Sequence, residues 1–313
     1  MDSKEKIMAI MCLPNLTLEQ RLTLNAMAIP LPKILTMRAG LLHETIGVRV
    51  PEGWNSSGVT LAYNSFLRWY EKDGNELVYY GDLDFPPLLR TIADPPFGLT
   101  YRGDLSHTGL SLSIVGTRNA SAKALHAAFT LGLECGAARV LVVSGFARGI
   151  DLAAHGGACA IGGPTWAVLG SGLSYINQKS PYKVQRVLAC QGAFVSEFHP
   201  SAAPLPWRFP IRNRIIAGLS PVTVVVEAPQ KSGALITADY ALRQGREVLV
   251  HRQGGDSSGT AFLIEDGAKV VNWLGEVAAK TCVNYNPTRR AVLRTSSRVY
   301  QFGSRKYSLV PSL

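Results

Sequence analysis

From Leu110 onward, short runs that are apolar throughout alternate with longer stretches in which apolar residues recur every three or four positions. Leu112–Val115, Val140–Val143, Thr165–Leu169, Ala193–Ser196, Val222–Val226, Val248–Val250 and Lys269–Val271 predict strands. Ser121–Cys135, Ile150–Ile161, Tyr182–Cys190, Arg208–Leu219, Gly233–Arg243 and Ala261–Asp266 predict helices between them. Pro210 must then sit in the first turn of its helix, where the missing N–H has no partner to lose. Strands apolar on both faces, separated by helices of about 10–15 residues, argue an α/β parallel sheet covered on both sides. Ligands of such sheets bind beyond the carboxyl ends of the strands. Those ends carry Gly116-Thr117-Arg118, Ser144-Gly145-Phe146, Gly170-Ser171-Gly172 and Glu227-Ala228.

The first 70 residues have a different texture. Leu13, Leu16, Leu18, Leu22, Leu24 and Met27 form a dense apolar run, and Thr17 with Gln20 has the spacing of a capping box. Pro30 and Pro32 end that helix, and a second helical pattern spans Val59 to Tyr70. The expected organisation is a small helical domain (1–75), a proline-rich connector (76–109), the sheet domain (110–276) and a basic tail (277–313).

Charge sharpens this picture. The chain has 32 Lys and Arg against 22 Asp and Glu, a net charge of +10. No acidic residue follows Glu276, while Lys280, Arg289, Arg290, Arg294, Arg298, Arg305 and Lys306 all do. A basic chain suits a polyanionic partner. No apolar run is long enough to span a bilayer and no secretory signal is evident, so a cytoplasmic protein without a membrane partner is expected. Five scattered cysteines, none in a CxxC pair, predict neither a disulfide framework nor a zinc site, and no cofactor is implied.

The candidate chemistry lies at the strand ends. Gly145 and Gly149 permit a tight turn into the helix starting at Ile150, whose free N–H groups and dipole favour an anion. Ser144 adds a hydroxyl, and Arg118 a forked donor suited to phosphate. Asp151 and His155 read either as an acid/base pair or as a helix-start carboxylate pairing with a histidine one turn on. Arg212 and Arg214 cannot share a helix face, so one should reach the strand ends and the other a buried carboxylate, Glu227 or Glu197; the sequence does not assign them. Lys231-Ser232-Gly233 opens a second helix, with Thr237 one turn on, whose hydroxyl could equally bond back to the helix. Lys179, Lys183 and Arg186 lie beside Tyr175 and Tyr182, a mixture that fits a nucleic-acid strand or a solvated helix face.

Val143-Ser144-Gly145-Phe146-Ala147-Arg148-Gly149-Ile150-Asp151 with Ala154-His155 resembles the central signature of the DprA/Smf family. Ile114 to Arg118, Phe209 to Ser220, Val225 to Ala228, Ser232 to Ala238 and Gly267-Ala268 resemble its other blocks, in its order, over about residues 82–275. The resemblance implies an extended Rossmann-like, doubly wound, mostly parallel sheet with a small N-terminal helical domain. It implies a single-stranded DNA-binding protein, not an enzyme, that protects incoming strands and loads a RecA-type recombinase in natural transformation. A single-strand-binding protein is a further expected partner. Its DNA contacts are expected at Gly116, Thr117, Arg118, Ser144, Gly145, Phe146, Ala147, Gly149, Lys179, Lys183, Arg212, Asn213, Lys231, Ser232, Gly233 and Thr237. A homodimer is expected through Phe262, Leu263, Ile264 and Val270. The alternative is a nucleotide-binding or nucleotide-hydrolysing enzyme of a related fold, although the chain lacks GxGxxG, Walker A and Pro-Gly-Gly-x-Gly-Thr motifs. Two stretches depart from the family pattern: Asn177-Gln178 and the short His251–Gly255 loop. With 38 residues after Gly275, the winged-helix appendage of some relatives is not expected.

Overall fold

The computed structural model describes residues 3–37, 43–45, 47, 56–178 and 181–281, with the backbone of 301, 302, 305 and 306. Helices come first, among them α1 (Ser3–Cys12), α2 (Leu18–Ala26), α3 (Leu31–Leu35) and α4 (Ser56–Tyr70). Then follow β1 (Asn75–Tyr79), β2 (Gly98–Gly103), β3 (Ser111–Val115), α5 (Ala122–Ala137), β4 (Leu141–Ser144), α6 (Ile150–Ala160) and β5 (Thr165–Val168). The chain continues through α7 (Pro181–Ala189), β6 (Gly192–Ser196), α8 (Arg208–Gly218), β7 (Val222–Val225) and α9 (Gly233–Arg243). Next come β8 (Glu247–His251), α10 (Ser258–Glu265), β9 (Lys269–Val271) and α11 (Leu274–Lys280), and a separate antiparallel pair lies at Gln301–Phe302 and Arg305–Lys306.

The sheet runs β1-β2-β6-β5-β4-β3-β7-β8-β9. Its seven strands from β6 to β9 are parallel, and the β1–β2 hairpin adds antiparallel to β6. The strands predicted from Leu112 onward are all present, each within two residues of its expected ends. The connector, by contrast, is not a linker. Leu77, Val78, Phe85, Leu89 and Leu99 within 76–109 are buried, and two of its segments extend the sheet. Its prolines fall between the strands, where no ladder N–H is needed.

Alternate strand residues serve opposite faces, as the two-residue period requires. Val143, Trp166, Val195 and Val225 join one core with Leu89, Ile215, Ala238 and Leu263, beneath α8, α9 and α10. Leu112, Val142 and Val224 face α5, α6 and α11. On that same side, Ala167 and Phe194 share a core with Ile10, Leu24, Phe66 and Trp69 of the N-terminal helices. The N-terminal helices therefore pack on the sheet through a shared core. The Thr17–Gln20 capping box is present at α2, with Gln20 N–H to Thr17 Oγ1 at 3.3 Å and the reciprocal bond at 2.8 Å.

Two further findings differ from the sequence reading. Cys159, near the end of α6, and Cys190, just after α7, form a disulfide with Cα atoms 5.1 Å apart. Their separation of 31 residues carries no local signal, because only the packing of α7 beside α6 brings them together. The boundary at 276/277 also passes through α11, where Val277 is fully buried. The folded body thus continues through Lys280.

Candidate nucleic-acid interface

The strand order reverses between β3 and β7, and a crevice opens there beyond their carboxyl ends. It is a cleft of about 540 Å³. The loop after β3 supplies Gly116, Thr117 and Arg118, and the loop after β4 supplies Ala147. The segment entering α8 and α8 itself supply Pro206, Phe209, Pro210, Arg212 and Asn213, while the start of α9 supplies Ser232, Gly233 and Thr237.

Close backbone approach sets this geometry. A Cβ on Gly116 would lie 2.4 Å from a side-chain carbon of Ile150, so no larger residue lets β3 pass the start of α6. Gly149 has φ +90°, and a Cβ there would lie 2.4 Å from the carbonyl oxygen of Thr117. Phe146 takes the left-handed conformation at φ +57°. That turn sends its ring away from the cleft, edge-on to Phe194 with centroids 5.0 Å apart.

The anion at the start of α6 is internal. The Asp151 carboxylate accepts N–H bonds from Gly145 at 3.2 Å and Ala147 at 3.3 Å. Two of the loop donors expected for a phosphate are therefore already engaged. Ser144 is fully buried and its hydroxyl donates to the Ile114 carbonyl at 2.6 Å, so it ties β4 to β3 and does not reach the cleft. Asp151 and His155 do not form the expected pair. His155 Nδ1 meets Thr165 Oγ1 at 2.6 Å, and burial with the nearby Arg212 charge drives its imidazole down to about 3. A neutral, buried histidine is a packing residue here.

The two arginines of α8 separate cleanly. Arg214 forks onto Glu197 with two bonds of 2.6 Å and reaches Asp94 at 3.0 Å. Arg212 turns to the strand ends, donating to the carbonyls of Gly145 (2.9 Å) and Val168 and to Asn213 Oδ1 (3.1 Å). Burial lowers its guanidinium to about 10, with Asp151 opposing and Arg118 adding to the shift, so it remains a cation at neutral pH. Burial likewise raises the Asp151 carboxyl, against the pull of Arg212 and the loop N–H groups. Glu227, the other candidate partner, instead accepts the Ser121 N–H at 2.9 Å and hydroxyl at 2.8 Å, fixing the start of α5.

The remaining polar groups lie in or beside the cleft. Arg118 is exposed, has no acidic partner among the described residues, and lies 5.6 Å from the Phe209 ring centroid. The Ser232 hydroxyl, at the N-cap of α9, is buried without a hydrogen-bond partner and caps no helix N–H. Asn213 Nδ2 donates to the Gly233 carbonyl at 3.1 Å and so ties α8 to this helix start. Thr237 bonds back to the Gly233 carbonyl at 3.4 Å, the local reading of that hydroxyl. Lys231 is exposed in the turn before Ser232, in the left-handed region at φ +60°.

Lys183 is not gathered here. It lines a shallow depression with Phe146, His155, Cys159 and Arg186, none of which lines the Arg118 cleft. Lys179 lies outside the described residues. Two features, one beside the cleft and one lining it, escaped the sequence reading. Arg148 is exposed and donates to Asn119 Oδ1 at 2.8 Å, bridging the loops after β3 and β4. Phe209 packs its ring on Gly170, where a Cβ would lie 2.7 Å from it. The arginine between two loop glycines was the available signal for the first; nothing local marks the second.

The family model described as DNA recombination-mediator protein A matches residues 76–281. The DNA processing protein DprA of Bacillus subtilis is 36% identical over 67% of this chain and 72% of its own length. That of Streptococcus pneumoniae is 38% identical over 63% of this chain and 71% of its own. The crystal structure of the S. pneumoniae protein superposes with a TM-score of 0.69 at 28% identity, covering 88% of this chain and 95% of that one. A Helicobacter pylori DNA processing protein A structure, described for its single-stranded DNA binding mode, superposes at 0.58 with 27% identity. It covers 66% of this chain and 94% of its own.

Proposed function

Because the chain belongs to the DNA recombination-mediator protein A family, we propose that its cleft binds single-stranded DNA and that the bound strand is handed to a RecA-type recombinase. The observation that carries this reading is an exposed Arg118, without an acidic partner among the described residues, set in the same cleft as the start of α9. A guanidinium fork and a helix start with spare donors suit a phosphodiester. The cleft offers backbone-type contacts and no helix or ribbon poised for a major groove, so little sequence specificity is expected. Its polar groups are structurally engaged or donors, and among the described residues no nucleophile stands beside a base, which favours a carrier over an enzyme.

Handover, protection of incoming strands during transformation and contact with a single-strand-binding protein are parts of the same proposal, supported by family membership. So is a homodimer. Phe262 is exposed on α10, and β9, which carries Val270, is the last strand of the sheet with one edge unpaired. Leu263 is buried in the core and Ile264 packs against it, so Phe262 and Val270 are the residues left to meet a second copy. A gel shift with single- and double-stranded DNA of equal length tests the main reading. Tighter binding of the single strand is expected; equal or tighter duplex binding overturns it. Light scattering at micromolar concentration tests the dimer, and a monomer there refutes it.

A further inference from the structure

Pro206, Phe209 and Pro210 line one wall of the cleft, and the segment that holds them, 205–211, exposes large apolar side chains at its rim. Trp207 is 54% exposed, Leu205 40% and Ile211 38%. Trp207 is also held in place. Its ring meets Phe198 edge-on with centroids 6.5 Å apart, and the Arg208 guanidinium lies 4.8 Å from its centroid. Arg208 is itself fixed, stacked 5.4 Å from the Phe198 centroid and bonded to the Ala203 carbonyl. An indole with a guanidinium over its ring, a perpendicular phenyl neighbour and half its surface in water keeps π surface open to solvent.

Phe209 lacks such a surface. One side of its ring rests on Gly170 and the Arg118 guanidinium lies over it. The aromatic residue inside the cleft is thus occupied as the platform that aims Arg118. The aromatic residue at the rim, two positions earlier, is the one left open. It is flanked by Pro206, which lines the cleft, and by the positive charge of Arg208.

We infer that Trp207 is a base-stacking station, and that a single strand held at Arg118 stacks one unpaired base on the open π surface of Trp207 as it leaves the cleft. This rests on the single-strand reading above. Stacking of a base on an aromatic ring is sequence-tolerant, and a neighbouring guanidinium strengthens it. Bases paired in a duplex have no free face to offer, so this contact also favours single strands.

The test is anisotropy titration of dye-labelled oligo(dT), and of a duplex of equal length, with wild type, Trp207→Ala and Trp207→Phe. Trp207→Ala should weaken oligo(dT) binding roughly tenfold and leave duplex binding and the salt slope unchanged, because it removes a π face and no charge. Trp207→Phe should recover most of the loss. Should the alanine variant fold poorly, Trp207→Leu keeps apolar contact with Phe198 without a π face and gives the same comparison. If wild type does not bind oligo(dT), the single-strand reading and this inference fall together. If wild type binds and the alanine or leucine variant binds equally well, or weakens on both DNAs alike, the stacking station alone is refuted.

Discussion

Arg214 and Glu197 are joined by two hydrogen bonds of 2.6 Å, both side chains largely removed from solvent. The pair links α8 to the loop after β6, and Arg214 extends it to the exposed Asp94 at 3.0 Å. Removing one member of a buried pair strands the other charge, at a cost of about 3–5 kcal/mol, whereas removing both together costs less. Arg214→Met should therefore lower stability by about that amount. The double variant Arg214→Met/Glu197→Leu should be more stable than Arg214→Met alone. Urea denaturation of the variants decides it, and a double variant no better than the single one would show the pair to be a net stabiliser of the fold.

Arg118→Ala should weaken single-stranded DNA binding by about 1.5–3 kcal/mol, the range of a hydrogen bond to a charged group. Its side chain is exposed and among the described residues none depends on it for a hydrogen bond, so the thermal midpoint should barely move. Unchanged affinity in a protein with wild-type circular dichroism removes Arg118 from the interface.

Glu134 gives a pH dependence with a definite sign. Its carboxylate accepts the Leu274 N–H at 2.8 Å, fixing the start of α11, but burial pushes its pKa up to about 7. An unfolded glutamate titrates near about 4.3. Between these values the folded state binds more protons, so this group favours folding at low pH and that contribution is lost as pH rises through about 7. Glu134→Gln keeps an acceptor for Leu274 and cannot ionise. The stability difference, variant minus wild type, should shrink by about 2 kcal/mol from pH 8 to pH 5. Taking the difference cancels every other titrating group, and a constant difference across that range would place Glu134 near its ordinary value.

The basic tail should raise affinity without selecting single strands over duplex. Because α11 belongs to the body, the informative truncation ends at Thr281. Each phosphate neutralised on a single strand contributes about 0.7 to the slope of log affinity against log salt. Loss of two to four contacts should lower that slope by roughly 1.5–3 units, with the preference for single strands unchanged. An equal slope before and after truncation means that the tail takes no part in binding.

The alternation of apolar runs with three-to-four-residue periodicity determined the parallel sheet and its helices, because side-chain direction repeats locally and burial selects for it. The glycines after β3 and β4 marked the edge where the cleft opens for the same reason: positive φ and close approach are demands on single residues. Partner choice was not legible. That Asp151 takes the Gly145 and Ala147 N–H groups, that Ser144 bonds Ile114, and that Arg214 rather than Arg212 finds Glu197 all depend on which buried donor lies nearest which acceptor after packing. The recruitment of 75–103 into the sheet and the meeting of Cys159 with Cys190 have the same origin. These contacts join segments far apart in the chain, and a buried polar group must be satisfied by whatever the fold brings to it.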